Sequence, residues 1–134
     1  MDRDQFWTLV EQTKGGDCQQ HADRLTARLR ELGPAGILAF QAVWDQLMDD
    51  SYRWDLWGAA YLANGGCSDD GFDYFRGWLI GQGRKVSARC AGATREYGRR
   101  YASSMTTMRE ASRTVLEDVV RFARCFNRPS AGGV

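Results

Sequence analysis

Apolar residues recur along this chain at intervals of three and four, and nowhere do they alternate with polar ones over the length of a strand. Phe6, Leu9, Val10 and Thr13 form a first stripe. Ala22, Leu25, Leu29 and Leu32 form a second, and Ile37, Leu38, Gln41, Val43, Trp44, Leu47 and Met48 a third. A fourth helix is predicted from about Trp54 to Leu62, with Trp54, Trp57, Ala60 and Tyr61 on one face. Phe72, Phe75 and Leu79 mark a fifth, with Trp78 on a neighbouring stripe. Val86, Cys90, Ala93, Tyr97 and Tyr101 mark a weaker sixth, because Gly92 and Gly98 would each cost it about 1 kcal/mol. A last stripe runs from Met105 through Met108, Val115, Leu116, Val119 and Ala123 to Phe126. The fold class predicted is all-α: a compact single-domain bundle of six or seven helices.

The punctuation agrees with the periodicity. Asp2 and Asp4 stand where a first turn favours negative charge, and Gly15-Gly16 stops that helix. Asp17 is placed to cap the second helix, and Gly33-Pro34 to end it and open the third. Asn64-Gly65-Gly66 is the chemistry for leaving a helix. Ser68 is a cap, with Asp69 and Asp70 in the turn that follows. Thr107 and Glu110 have capping-box spacing, and Asn127 and Pro129 close the last helix.

Composition adds bounds. The chain has 134 residues, 43% hydrophobic and 26% charged, which suits one soluble core and excludes a disordered chain. No apolar run reaches the ~18 residues of a membrane helix, and "MDRDQFWTLV" has no apolar signal core, so a cytoplasmic location is expected. Cys18, Cys67, Cys90 and Cys125 form no CxxC pair and are expected to be reduced. Basic residues are nearly all arginine, a bias that points to a GC-rich bacterial coding sequence. Charge is lopsided. Residues 1–83 hold seven basic and thirteen acidic side chains, a net of −6, and residues 84–134 hold eleven and four, a net of +7.

The segments "DQFWTLVEQ", "FQAVWDQLMDDSYRW" and "YRWDLWGAAYLANGGCSDDGFDYFRGWLIGQGRKV" carry long ordered runs, WxxWxAAY and SDDxFxxFRxWLI. Over about residues 1–86 they resemble the bacterial family called domain of unknown function 4240. The resemblance implies a helical, cytoplasmic domain without an established activity. After Val86 the text "SARCAGATREYGRRYASS" departs from the family pattern. The chain is accordingly divided into a family-like helical core, 1–86, and an Arg-rich helical extension, 87–134, packed on the same domain.

"NGGCSDDGFDYFRGW", residues 64–78, concentrates the candidate chemistry. On a helix Asp69, Asp73 and Arg76 share a face, so they can hold a cation or move a proton, or simply cap and pair. Adjacent Asp69 and Asp70 point about 100° apart and make a poor acid–base dyad. Arg76, among aromatics, is expected to pair with Asp55 or Asp73; the alternative is an anion or a stacked ring. Cys67 stands at a helix start but among carboxylates, which oppose a thiolate. Cys18 and His21 make half a zinc site with no second pair, so no metal and no cofactor are expected, and His21 is expected to face solvent. No phosphate-binding glycine motif is present.

The leading functional reading is a non-catalytic binding or regulatory module with a protein partner or self-association. The alternative is an enzyme or small-ligand binder at the corner, using Trp54, Trp57, Tyr61, Asp69, Asp70 and Arg76. Nucleic acid through the Arg-rich C-terminal helices is a third reading that no recognition motif supports. A sealed corner, with Trp57 and Tyr61 near Phe72 or Phe75, favours the first. An extended Cys67–Gly71 loop turning Asp69 and Asp70 into a pocket favours the second.

Overall fold

Each helix starts where a side chain can satisfy the first free backbone N–H groups. In the computed structural model, which describes residues 1–101 (the side chains of 62–64 and 96–101 excepted), five helices follow one another. They are α1 (Arg3–Thr13), α2 (Cys18–Asp50), α3 (Trp54–Asn64), α4 (Asp69–Gly81) and α5 (Arg84–Tyr101). Asp2 caps α1: its carboxylate accepts from Gln5 N at 2.7 Å, and Gln5 Oε1 accepts from Asp2 N at 2.9 Å. Asp17 and Gln20 repeat the reciprocal pair at the start of α2, at 2.8 and 3.2 Å.

The long α2 is two helices in direction. Gly33, at φ 72° and ψ −178°, leaves helical geometry, and Pro34, which has no N–H to donate, opens the second segment. The two stripes anticipated around Gly33-Pro34 are therefore the two arms of α2, which makes six helical segments among the described residues. The expected helix from Met105 to Phe126 lies outside the described residues.

Two apolar clusters form around α4. Phe6, Trp7, Leu9 and Val10 of α1, Phe40 and Val43 of α2, and Ile80 of α4 make one. Leu56 and Ala60 of α3, Phe72, Phe75 and Leu79 of α4, and Cys90 of α5 make the other. Leu25, Leu29, Trp44, Leu47 and Met48 pack on the first cluster. Leu32 and Leu38, expected to be in these stripes, are instead 47% and 70% exposed. Leu38 lies two residues, about 200°, from buried Phe40, and so on the far side of the helix.

The α3 and α5 helices are joined by a polar clamp. Arg53 donates to both oxygens of Asp55 at 2.9 and 2.7 Å, and also to Ala91 O at 3.1 Å and Thr94 Oγ1 at 3.0 Å. Burial raises the Asp55 pKa, but the Arg53 hydrogen bonds and charge, with the Leu56 N–H, more than offset it, and the net shift is downward. A depressed folded pKa means stability that is present above the unfolded value and lost as pH falls through the folded one. We expect Asp55→Asn to be less stable than the parent at neutral pH, and the difference to shrink below about pH 4. Urea unfolding of both proteins across that range measures it.

At the α4–α5 junction, Glu11 of α1 accepts from Arg84 N at 3.1 Å and so caps α5 from another helix. This needs Gly83, whose φ is 96° and whose added Cβ would collide with the Glu11 carboxylate. Gly83→Ala is expected to lower stability by about 1–3 kcal/mol, read from denaturant midpoints.

Candidate functional site

The chain leaves α3 through Gly65, which is left-handed at φ 67° and ψ 25°, the conformation glycine adopts without a Cβ penalty. Gly66 N donates to Tyr61 O at 2.8 Å. Ser68 Oγ accepts from Gly71 N at 3.2 Å and caps α4, with Asp69 and Asp70 in its first turn. Both carboxylates face solvent. Trp57 Nε1 donates to Cys67 O at 3.0 Å, across the corner. Burial pushes the Cys67 thiol pKa up, so it stays protonated at neutral pH.

An aromatic ladder fills the joint. Trp54 stacks on Trp57 with centroids 5.5 Å apart and planes at 10°, and Trp57 stacks on Phe72 at 4.9 Å and 13°. Phe75 and Trp78 continue it at 6.5 and 6.0 Å spacings. The expected contact of Trp57 with Phe72 is thus present, whereas Tyr61 is 56% exposed. The corner is a sealed joint on its inner side. No loop turns Asp69 or Asp70 into a pocket.

Arg76 is 5% exposed and occupied in every direction but one. Nη1 donates to Met48 O at 2.5 Å, Nη2 pairs with Asp73, and the guanidinium carbon sits 4.8 Å from the centroids of Tyr52 and Phe72. Its Nε is buried without a partner. Of the two carboxylates expected for Arg76, Asp73 is the one it takes. Asp55 is drawn to Arg53, two residues away in the extended N-cap and able to bind bidentately.

The six residues singled out from the sequence therefore separate. Arg76 is consumed inside the fold, Asp69 and Asp70 stand on the surface at a helix start, Trp57 is half-buried in the joint, and Trp54 and Tyr61 are exposed on α3. Sequence reasoning missed a second place. A cleft of about 930 Å³ lies between the Lys14–Asp17 loop, both arms of α2, and α4, with His21, Trp44, Asp73, Tyr74, Gly77 and Trp78 in its lining. His21, expected to face solvent, is half-buried there, and its Nε2 lies 3.2 Å from Thr13 Oγ1. The signal was available: His21 is one turn before Leu25 and two before Leu29, both half-buried. Among the described residues no three His, Cys, Asp or Glu side chains gather as a metal-binding group.

The fold and this corner define an all-α domain built around one doubly packed helix. The family model described as a protein of unknown function, DUF4240, matches residues 1–97, and the chain belongs to that family. The match runs past Val86, where the resemblance was expected to end, and takes in most of α5. No curated protein and no solved structure matches the chain. Among the described residues no helix is long and apolar enough to cross a membrane.

Placement inside or outside the fold sets what each substitution does. Arg76→Ala opens a cavity and removes the donor to Met48 O, and is expected to cost about 2–4 kcal/mol. Asp70→Ala, at an exposed position, should stay within about 0.5 kcal/mol. Thermal melts of the two variants side by side measure the split. Equal losses would contradict it.

Proposed function

We propose that the chain is a non-catalytic binding module whose docking surface is the exposed aromatic face of α3, and that it receives an arginine-bearing segment of a protein partner. The observation that carries this reading is Trp54. It is 86% exposed, and its ring lies nearly parallel to that of Trp57, with centroids 5.5 Å apart and planes at 10°. An indole this exposed offers a wide, flat ring face for stacking. Tyr52 and Tyr61, each 56% exposed, add aromatic surface nearby in the chain.

Charge selects the occupant. Residues 1–83 carry a net of −6, and Asp49, Asp50, Asp69 and Asp70 are all exposed. The molecule already uses the same recognition internally, where the Arg76 guanidinium lies over Tyr52 and Phe72. A partner arginine on Trp54 would repeat it at the surface, where a cation–π contact is worth about 0.5–1 kcal/mol before desolvation.

Titrating the full chain with an arginine-rich peptide, its lysine counterpart and an acidic peptide, read by tryptophan fluorescence, tests the proposal. The expected order is arginine over lysine, with no binding of the acidic peptide and weakening in high salt. Trp54→Ala should reduce affinity about tenfold or more with the melting temperature unchanged. An unaltered affinity in that variant would sink the docking surface.

A further inference from the structure

The cleft beside α4 goes beyond the α3 surface. Its floor is one side of α4, where Gly77 and Gly81 bring the backbone to the surface: a Cβ at Gly77 would sit 3.4 Å from Trp44 Cζ2, and one at Gly81 3.9 Å from His21 Cε1. Trp44 and Trp78 are both half-buried in the lining, and Tyr74 is 59% exposed. The opposite wall is the Lys14–Asp17 loop with the first turns of α2.

That loop is braced. Lys14 Nζ donates to Gln82 O at 2.6 Å and ties the loop to the end of α4. Arg24 Nε donates to Thr13 O at 2.8 Å, and its Nη2 donates to Gly15 O. The cleft is pre-formed, and its volume lies in the range of small-molecule sites.

Each charged side chain at the cleft has a hydrogen-bond partner. Asp73 pairs with Arg76, Asp17 is engaged by Gln20 N, and Lys14 is engaged by Gln82 O. With Arg76 counted beside Asp73, the lining holds two cations and two anions and carries no net charge.

The polar group that gives direction is His21. Thr13 Oγ1 has one hydrogen and lies 3.0 Å from Leu9 O and 3.1 Å from Val10 O, so it donates to those carbonyls. It can then only accept from His21, which places the imidazole proton on Nε2 and leaves Nδ1 as a hydrogen-bond acceptor. Burial lowers the His21 pKa, the Val10 carbonyl and Glu11 act against this, and the Arg24 and Lys14 charges add to it; the net shift is downward and the ring is neutral at pH 7.

We propose that this cleft is a binding site for a neutral, planar heteroaromatic ligand that rests against Trp44 and Trp78 and donates an N–H to Nδ1 of His21. Two indoles supply stacking and edge contacts to a flat ring. An acceptor set beside two indoles discriminates by hydrogen bonding more sharply than by shape.

The test uses the full ¹⁵N-labelled chain and the indole N–H resonances of its tryptophans. The probes are indole, benzimidazole, adenine and benzofuran, the last an indole isostere without an N–H. At least one of the three N–H probes should shift the Trp44 and Trp78 resonances saturably, and indole should bind roughly threefold to tenfold tighter than benzofuran. Ala22→Phe, at an exposed position in the lining, should abolish the shifts. His21→Phe should erase the difference between indole and benzofuran. Equal binding of those two to the parent chain, absence of a saturable shift with all three N–H probes, or full binding to a folded Ala22→Phe variant would each overturn the assignment.

Discussion

A buried guanidinium fixes how the two halves of this domain meet. The α4 helix buries Phe72, Phe75 and Leu79 against α3 and α5, and Ile80 against α1 and α2. Arg76 sits between these sets, at i+4 from Phe72 and i−4 from Ile80. Its donation to Met48 O reaches the last turn of α2, where carbonyls lack partners within the helix and the dipole is negative. The planar fork meets the carbonyl and Asp73 in its plane, while the rings of Tyr52 and Phe72 lie close to the guanidinium. Lysine could make neither arrangement, because its ammonium has no plane to stack and no fork to aim. Arg76 thereby ties α4 to the end of α2, between the corner on one side and the cleft on the other.

Local physics was legible in the sequence. Asp17 and Ser68 were expected as caps, which need only neighbours three residues on, and both act as caps, while Asp2, expected in the first turn with Asp4, is the cap of α1. The break at Gly33-Pro34 and the left-handed exit at Gly65 follow from the two residue types that most constrain a backbone. Partner choice across the fold was less so. Asp55 was a fair candidate for Arg76 by distance along the chain, but the packing of α5 on α3 sets Ala91 and Thr94 beside Arg53 and makes that arginine its partner. Leu38 and His21 were misjudged for a related reason. Periodicity gives a helix an apolar face, but only the packed neighbours decide which edge of that face is covered.

The density of chemistry at Asn64–Trp78 is explained by its position. A short link between two touching helices must end one, cap the next and cross the gap, and each task needs a polar or small side chain. Gly65 ends α3, Ser68 caps α4, Asp69 and Asp70 face the positive end of its dipole, and Cys67 lends its carbonyl to Trp57. Asp73 serves Arg76. Once those duties are assigned, the exposed rings of Trp54 and Tyr61 are left without one.

The same helix that seals the corner opens the cleft, and its composition shows how. A 13-residue helix packed on two sides has a third side left, and on α4 that side carries Asp73, Tyr74, Gly77 and Gly81. At Gly77 the Trp44 ring already lies in contact range of where a Cβ would sit, so a large residue there would displace it. Gly77, inside the helix, forfeits about 1 kcal/mol of helix propensity, which the burial of Phe72, Phe75, Leu79 and Ile80 can absorb. The packing energy of α4 thus sustains a face that does not itself pack. That face lies under the half-buried Trp44 and His21, which gives the cleft a rigid floor before any ligand arrives.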